Sequence, residues 1–380
     1  MIKKITSFTG LRFIMMSAII INHLFYLSYN DRIGTVYSNF FQNPLVAVNF
    51  FFILSGFGMM FSNLKKIPEN EMHFPSFKDN IKYAVSHIKK LYPLYIISII
   101  TGLLILIVSK LLKAEITPSF FVKEAIRLAI NALLLQSASG MTFFTHAYNG
   151  VSWFFSSLFC IYIVSPFFIV ILRKISKSIF HDVAFIVINL FVISLLIIVF
   201  GKIEVFLQSK PIPEVDMLVY GSPYIRLFYV LIGMNLALLC DKIQKSKSNK
   251  AVRNISLYEI VISLLALLYY FTRNYIAPKY FDYRNIIDII IPALIILIFS
   301  FDCGIVSQLL QSKVFQSLGE ISMYLYIIHS ILILQLPLIF EESIKSWSLS
   351  FMVCYSILAL IITFCLSFII HHHNTKKQIS

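Results

Sequence analysis

Long apolar runs alternate with short polar segments along the whole of the 380-residue chain. A helix needs roughly 20 mostly apolar residues to cross the hydrocarbon core of a bilayer. About ten runs meet this requirement: residues 11–29, 44–62, 91–109, 151–171, 183–200, 224–240, 255–272, 285–301, 319–339 and 349–370. The pattern predicts an all-α fold, a polytopic transmembrane helical bundle of about ten membrane-spanning helices.

Residues 119–137 form a weaker, eleventh candidate. Glu124, Arg127 and Asn131 are spaced at i, i+3 and i+7, so a helix would place them on one face. This spacing favours a helix that lies in the membrane interface over one that crosses the bilayer. Whether the segment crosses stays open at this point.

The distribution of basic residues predicts the orientation of the bundle. With ten spans, Lys and Arg are most frequent in the segments on the side of the two termini, above all in residues 63–90 and 241–254. Short cytoplasmic loops carry an excess of Lys and Arg. Both termini are therefore expected to be cytoplasmic, with a single domain at 1–372 and a short tail at 373–380. The apolar run that begins the chain is interpreted as a retained first helix rather than as a signal peptide.

Composition strengthens the membrane interpretation. Hydrophobic residues make up 58% of the chain and charged residues 13%, whereas a soluble domain carries about 25% charged residues. The net charge of +14 is explained by the cytoplasmic loops, so no nucleic-acid partner is expected. The five cysteines are scattered through or beside apolar runs, which predicts neither a disulfide framework nor a metal site.

Ionisable groups inside predicted spans are the first candidates for function, because such groups are costly in lipid and usually face a cavity. Arg12 and His23 lie eleven residues apart in the first span, about three helical turns and roughly 16 Å along the helix axis. They therefore lie on nearly one stripe. The alternatives are an interfacial anchor for Arg12 and a structural hydrogen bond for His23.

The second span carries Ser55 and Gly56 within the stretch Phe51–Phe57. Small residues allow helices to approach closely, and they also leave room for the thin chain of a ligand. Arg226, near the end of its span, is either an interfacial anchor or a functional group. Glu320 and His329 are nine residues apart and do not share a simple helix face. None of the catalytic motifs that mark common soluble enzymes is present.

Six motifs in a fixed order resemble the membrane acyltransferase 3 family, which includes bacterial carbohydrate O-acetyltransferases. They are Arg12 with His23, Phe51–Phe57, Lys89–Tyr95, Trp153–Leu158, Pro223–Gly233 and Leu318–His329. Two positions depart from the family pattern. Many members carry Glu where this chain has Leu158, so no role for that Glu is transferred. Many carry Arg where this chain has Lys89 and Lys90, which keeps the charge but loses the bidentate fork.

The resemblance implies an enzyme of the cytoplasmic membrane that transfers an acyl group from acyl-CoA to a hydroxyl of a cell-surface or exported carbohydrate, or of a lipid-linked saccharide. Acetyl is favoured and succinyl is the alternative. No cofactor is expected to stay bound. The residues implied are His23 and Arg12 as the catalytic pair, Arg12, Ser55, Gly56, Lys89 and Lys90 for the donor, and Trp153, Arg226 and His329 for the acceptor. His23 would act as a general base or as a transient acyl carrier.

Two other classes of function remain open. A multi-pass transporter or flippase fits ten spans with buried charge, although such proteins often show two similar halves, which this sequence does not. A non-catalytic membrane subunit of a polysaccharide export system is the third interpretation. It predicts that Arg12 and His23 are dispensable.

Overall fold

The computed structural model describes residues 5–68, 72–209, 215–246, 254–276, 286–340 and 344–379. These residues are almost entirely helical, and within them the only β-type pairing is an isolated bridge between Met141 and Val215. The all-α prediction is confirmed. In the described ranges the α-helices are α1 (Ser7–Asn22), α2 (Gly34–Phe40), α3 (Leu45–Lys66), α4 (Phe77–Ile88), α5 (Tyr92–Leu112), α6 (Pro118–Ala132), α7 (Thr142–Thr145), α8 (Trp153–Ile175), α9 (Ile179–Gln208), α10 (Pro223–Lys245), α11 (Ile255–Ile276), α12 (Ile287–Phe299), α13 (Ile305–Leu310), α14 (Lys313–Glu320), α15 (Ser322–Ser330) and α16 (Leu349–Ile379).

Seven helical segments of the described chain are long and apolar enough to cross a membrane, and each falls on a predicted span. They are Gly34–Lys66, Tyr92–Leu112, Trp153–Ile175, Ile179–Gln208, Pro223–Lys245, Ile255–Tyr275 and Leu349–Thr375. An eighth is broken, because α14 and the segment Ser322–Gln335 meet at an angle of 49°. The other two predicted spans contain the shorter helices α1, of 16 residues, and α12, of 13 residues.

Helix α6 differs from an ordinary interfacial helix in the direction of its polar face. As predicted, Glu124, Arg127 and Asn131 share a face, but this face packs into the protein. Arg127 Nη1 lies 2.6 Å from Glu124 Oε1, and the Tyr148 hydroxyl donates to Glu124 Oε2 over 2.8 Å. The large apolar side chains on the other side, including Phe121, are exposed. The 15-residue helix α6 is thus held against the protein through its polar face.

The core is built where α3 and α10 pack backbone against backbone. A Cβ on Gly56 would lie 1.9 Å from the Val230 carbonyl oxygen, and a Cβ on Gly233 would lie 1.9 Å from the Ile53 carbonyl oxygen. Each helix therefore places a glycine against the main chain of the other. Gly58, two residues beyond Gly56, has no atom within 4 Å of such a position. Gly58 therefore faces away from this contact.

A carboxylate from elsewhere in the chain fixes the beginning of α1. Asp302 accepts hydrogen bonds from the backbone nitrogens of Thr6 and Ser7 over 2.9 and 2.8 Å, so it satisfies donors that a helix leaves unpaired at its start. Partial burial acts to raise the pKa of Asp302, but the hydrogen bonds from Thr6 and Ser7 outweigh it and hold that pKa below its usual value. This contact sets where α1, with Arg12, enters the bundle.

We expect Gly56→Ala and Gly233→Ala each to lower the free energy of unfolding by about 1–3 kcal/mol, because the added methyl group must separate α3 from α10. Thermal unfolding in detergent measures the change. The matched control is Gly58→Ala, which should leave stability unchanged or raise it by up to about 1 kcal/mol through helix propensity. Equal losses in all three variants would contradict the proposed contact.

Candidate active site

Two histidines from opposite ends of the chain form a hydrogen-bonded pair. His23 follows the last residue of α1, and its Nδ1 lies 2.9 Å from Nε2 of His329 in α15. The two rings are stacked, with centroids 5.2 Å apart and planes inclined by 16°. His329 is fully buried. The structure therefore joins two of the predicted site residues directly, a pairing that the sequence did not predict.

The backbone around His329 determines which nitrogen carries each proton. Nδ1 of His329 lies 2.8 Å from the Leu325 carbonyl oxygen, which can only accept, so Nδ1 carries the proton. Nε2 of a neutral His329 is then an acceptor, and Nδ1–H of His23 donates to it. This leaves Nε2 of His23 with a free lone pair.

The helix that carries His329 changes its winding immediately afterwards. Residues Ile331–Gln335 form a π-helical turn that follows α15 without a break. Single π turns are rare and are found mostly at functional sites. His329 thus lies in the last turn of regular helix before this irregular segment.

An apolar space, here called the inner cavity, lies beside His23. Its volume is about 270 Å³, and its lining includes His23, His146, Trp153, Tyr220 and Tyr326. Aromatic rings and aliphatic side chains form most of the wall. His23 and His146 contribute imidazole groups to this lining.

A second and larger space, here called the basic cavity, has a volume of about 750 Å³. Its lining includes Arg12, Ser55, Lys65, Lys66 and His87. Arg12 Nε is buried and has no hydrogen-bond partner among the described residues. An unpartnered guanidinium nitrogen next to two lysines makes this cavity suited to an anionic group.

The two cavities share the side chains of Phe51, Phe154 and Met323, here called the partition. Arg12 faces the space on one side of it and His23 faces the space on the other. Arg12 and His23, which are separated by roughly 16 Å of helix rise, therefore line two adjoining compartments.

Several predicted donor residues lie elsewhere. Gly56 lines neither cavity, since it packs on the Val230 carbonyl. Lys89 and Lys90 are exposed at the junction of α4 and α5 and also line neither cavity. Ser55 does line the basic cavity, and its hydroxyl donates to the Phe51 carbonyl over 2.7 Å. Lys65 and Lys66, which the sequence reasoning did not select, do line the basic cavity.

Arg226 lies behind the wall of the inner cavity. It is 3% exposed, and its Nε and Nη2 donate to the Tyr220 carbonyl over 2.8 and 2.6 Å. Nη1 donates to Asn49 Oδ1 over 2.7 Å. Its guanidinium also lies 5.8 Å from the Trp153 ring centroid. Arg226 therefore supports Tyr220 and Trp153, which do line the cavity, and does not reach it itself.

His146 is the residue of the inner cavity that sequence reasoning missed. It lies in the irregular segment between α7 and α8, where the chain shows no helical periodicity to mark it. No group of three or more His, Cys, Asp or Glu side chains that could hold a metal ion occurs within the described ranges.

Comparison with known protein families gives a match over nearly the whole chain. The model of the acyltransferase 3 family, described as an acyltransferase domain, matches residues 5–372. This confirms the resemblance predicted from the six motifs. No curated protein and no solved structure matches the chain at a significant level.

We expect Arg226→Ala to destabilise the protein, because the Tyr220 carbonyl and Asn49 Oδ1 would each lose a buried donor at about 1–3 kcal/mol apiece. The midpoint of thermal unfolding in detergent tests this. Arg32→Ala, at an exposed position, is the control and should change stability by less than about 0.5 kcal/mol. A stable Arg226→Ala protein with weakened acceptor binding would instead show that Arg226 contacts the acceptor.

Proposed function

Because the chain belongs to the acyltransferase 3 family, we propose that it transfers an acyl group, acetyl by preference, from acyl-CoA to a hydroxyl of a cell-surface or exported carbohydrate. The family match and the apolar helices identify it as a membrane acyltransferase. The observation that carries the finer proposal is the pair of adjoining cavities. One is lined by Arg12 with two lysines, and the other is lined by His23, whose ring is hydrogen-bonded to His329 behind it.

We further propose ten spans with both termini in the cytoplasm of a bacterial cell, the chain lying in the cytoplasmic membrane. The shorter helices α1 and α12 would complete the ten. Lys65 and Lys66 end α3 and line the basic cavity, so the positive-inside rule assigns that cavity to the cytoplasmic side. The inner cavity then lies deeper, toward the outer face.

The basic cavity is the proposed donor site. CoA is cytoplasmic and carries phosphate groups, which Arg12, Lys65 and Lys66 would bind through charge-assisted hydrogen bonds. Arg12 Nε is the strongest candidate, because a buried donor without a partner costs free energy until a ligand pairs with it. Lys89 and Lys90, exposed on the same side, would attract the anion at longer range.

His23 is the proposed general base. Its free Nε2 takes the proton of the acceptor hydroxyl as the oxygen attacks the thioester carbonyl carbon. The new C–O bond forms, the C–S bond breaks, and the proton passes to the CoA thiolate. His329 positions the base, since its Nε2 accepts from His23 Nδ1 and the Leu325 carbonyl holds His329 in turn. The same Nε2 could carry the acyl group first, in which case acyl-histidine would accumulate without an acceptor.

The aromatic wall of the inner cavity is the proposed acceptor site. Trp153, Tyr220 and Tyr326 present rings to the space beside His23, and such rings offer apolar area together with polar edges. A sugar ring has apolar C–H faces and a rim of hydroxyls, so it complements this wall. Arg226 contributes by holding Tyr220 and Trp153 in place.

We expect His23→Ala to reduce transfer of labelled acetyl from acetyl-CoA to a saccharide fraction in membrane vesicles by about 10²–10⁴-fold, the usual contribution of a general base. Expression and insertion should be unchanged. His329→Ala should also lower kcat, and His329→Gln should recover part of it, because its amide oxygen can accept from His23 Nδ1. A purely structural role for His329 would give no such recovery.

The same assay separates the competing functions. Full transfer by His23→Ala would overturn the assignment of the base. No transfer by the wild type, with acetyl-CoA or succinyl-CoA, would favour a transporter. Normal saccharide export with both Arg12 and His23 replaced would favour a non-catalytic subunit.

We expect Arg12→Ala to raise the KM for acyl-CoA by about tenfold or more, since a charge-assisted hydrogen bond contributes about 1.5–3 kcal/mol. The double variant Lys65→Gln, Lys66→Gln should act in the same direction and more strongly at low salt. Initial rates against acyl-CoA concentration measure both. Lys78→Gln, an exposed position on α4, is the charge-matched control and should leave KM unchanged. An unchanged KM in the Arg12 variant would remove the donor site from the basic cavity.

A further inference from the structure

The partition of Phe51, Phe154 and Met323 separates the basic cavity from the inner cavity, and these are the three side chains that line both. In the proposed reaction the reacting atoms must come within about 3–3.5 Å of each other. A donor held on the basic side therefore has to place its acyl group at or beyond the partition to meet an acceptor beside His23.

The two aromatic members are held firmly by other rings. The Phe154 ring lies 4.5 Å from that of Phe52 and 5.6 Å from that of Tyr326, centroid to centroid. Phe51 contacts Phe50 at 5.6 Å and Phe154 at 6.3 Å. Because interiors are packed closely, these rings cannot turn without displacing their neighbours.

Met323 is the member that can move. It is the second residue of α15, directly after the point at which α14 and the following segment meet at 49°. A methionine side chain has three rotatable bonds and adapts to irregular space. A rotation of Met323 would therefore open a passage beside two fixed rings, with no change of backbone required.

We propose that the partition limits the length of the acyl group, with Met323 as the specificity-determining residue and short acyl groups as the substrate class. This inference rests on the proposed acyl transfer. An acetyl group needs little room in the passage, whereas every further methylene must fit between the rings and Met323 or extend into the inner cavity. That cavity has a volume of only about 270 Å³ and must also hold the acceptor.

The experiment compares acetyl-CoA, butyryl-CoA and hexanoyl-CoA as donors for one acceptor, in vesicles that contain the full-length protein. One methylene in an apolar pocket changes selectivity by about 10–200-fold, so Met323→Ala should raise butyryl relative to acetyl transfer by about tenfold or more. Met323→Phe should shift the ratio in the opposite direction. Phe51→Leu replaces the ring that α3 contributes to the partition with a smaller side chain and should act like Met323→Ala. It gives a second variant if the Met323→Ala protein does not insert into the membrane.

The control is Met234→Ala, which removes a buried methionine from α10 that lines neither cavity and should leave the ratio unchanged. Wild-type acetyl transfer combined with an unchanged ratio in Met323→Ala, Met323→Phe and Phe51→Leu would overturn the length filter and leave the proposed function intact. Failure of the wild type to transfer any of the three acyl groups, and succinyl as well, would overturn the proposed function itself.

Discussion

The main-chain contact between α3 and α10 at Gly56 and Gly233 is the constraint on which the arrangement of the site depends. Without a hydrophobic driving force between helices in lipid, close packing through small residues is what holds them together. The contact brings Asn49 of α3 within 2.7 Å of Arg226 in α10. It also sets the rotation of α3 that directs Phe51 toward the two cavities.

Two arginines in predicted spans, Arg12 and Arg226, differ in whether their buried donors have hydrogen-bond partners. A buried guanidinium needs partners for its donors. Arg226 finds them in the Tyr220 carbonyl and Asn49, and so becomes part of the scaffold. Arg12 keeps a buried Nε without a partner in the described part of the chain, beside a basic cavity. The second arrangement is the one suited to binding a ligand.

The positions that depart from the family pattern differ in their relation to the basic cavity. Leu158, which stands where many members carry Glu, lines the basic cavity and adds apolar wall there. Lys89 and Lys90 stand where many members carry Arg, and they are exposed outside that cavity. Lys65 and Lys66 supply its positive charge instead. In the proposed donor site these lysines would act as point charges, whereas an arginine would offer a bidentate fork.

The sequence alone determined that the chain is helical and built for a membrane, because each crossing needs a long apolar run that is visible without knowledge of its neighbours. It also identified His23, Arg12 and the shared polar face of α6, since helical periodicity is local. Local periodicity cannot show which helices touch. Three features are therefore decided only by the tertiary structure. They are the pairing of His23 with His329 across 306 positions, the packing of the α6 polar face into the protein, and the different hydrogen bonding of Arg12 and Arg226. Each depends on the partner that packing brings to a buried polar atom.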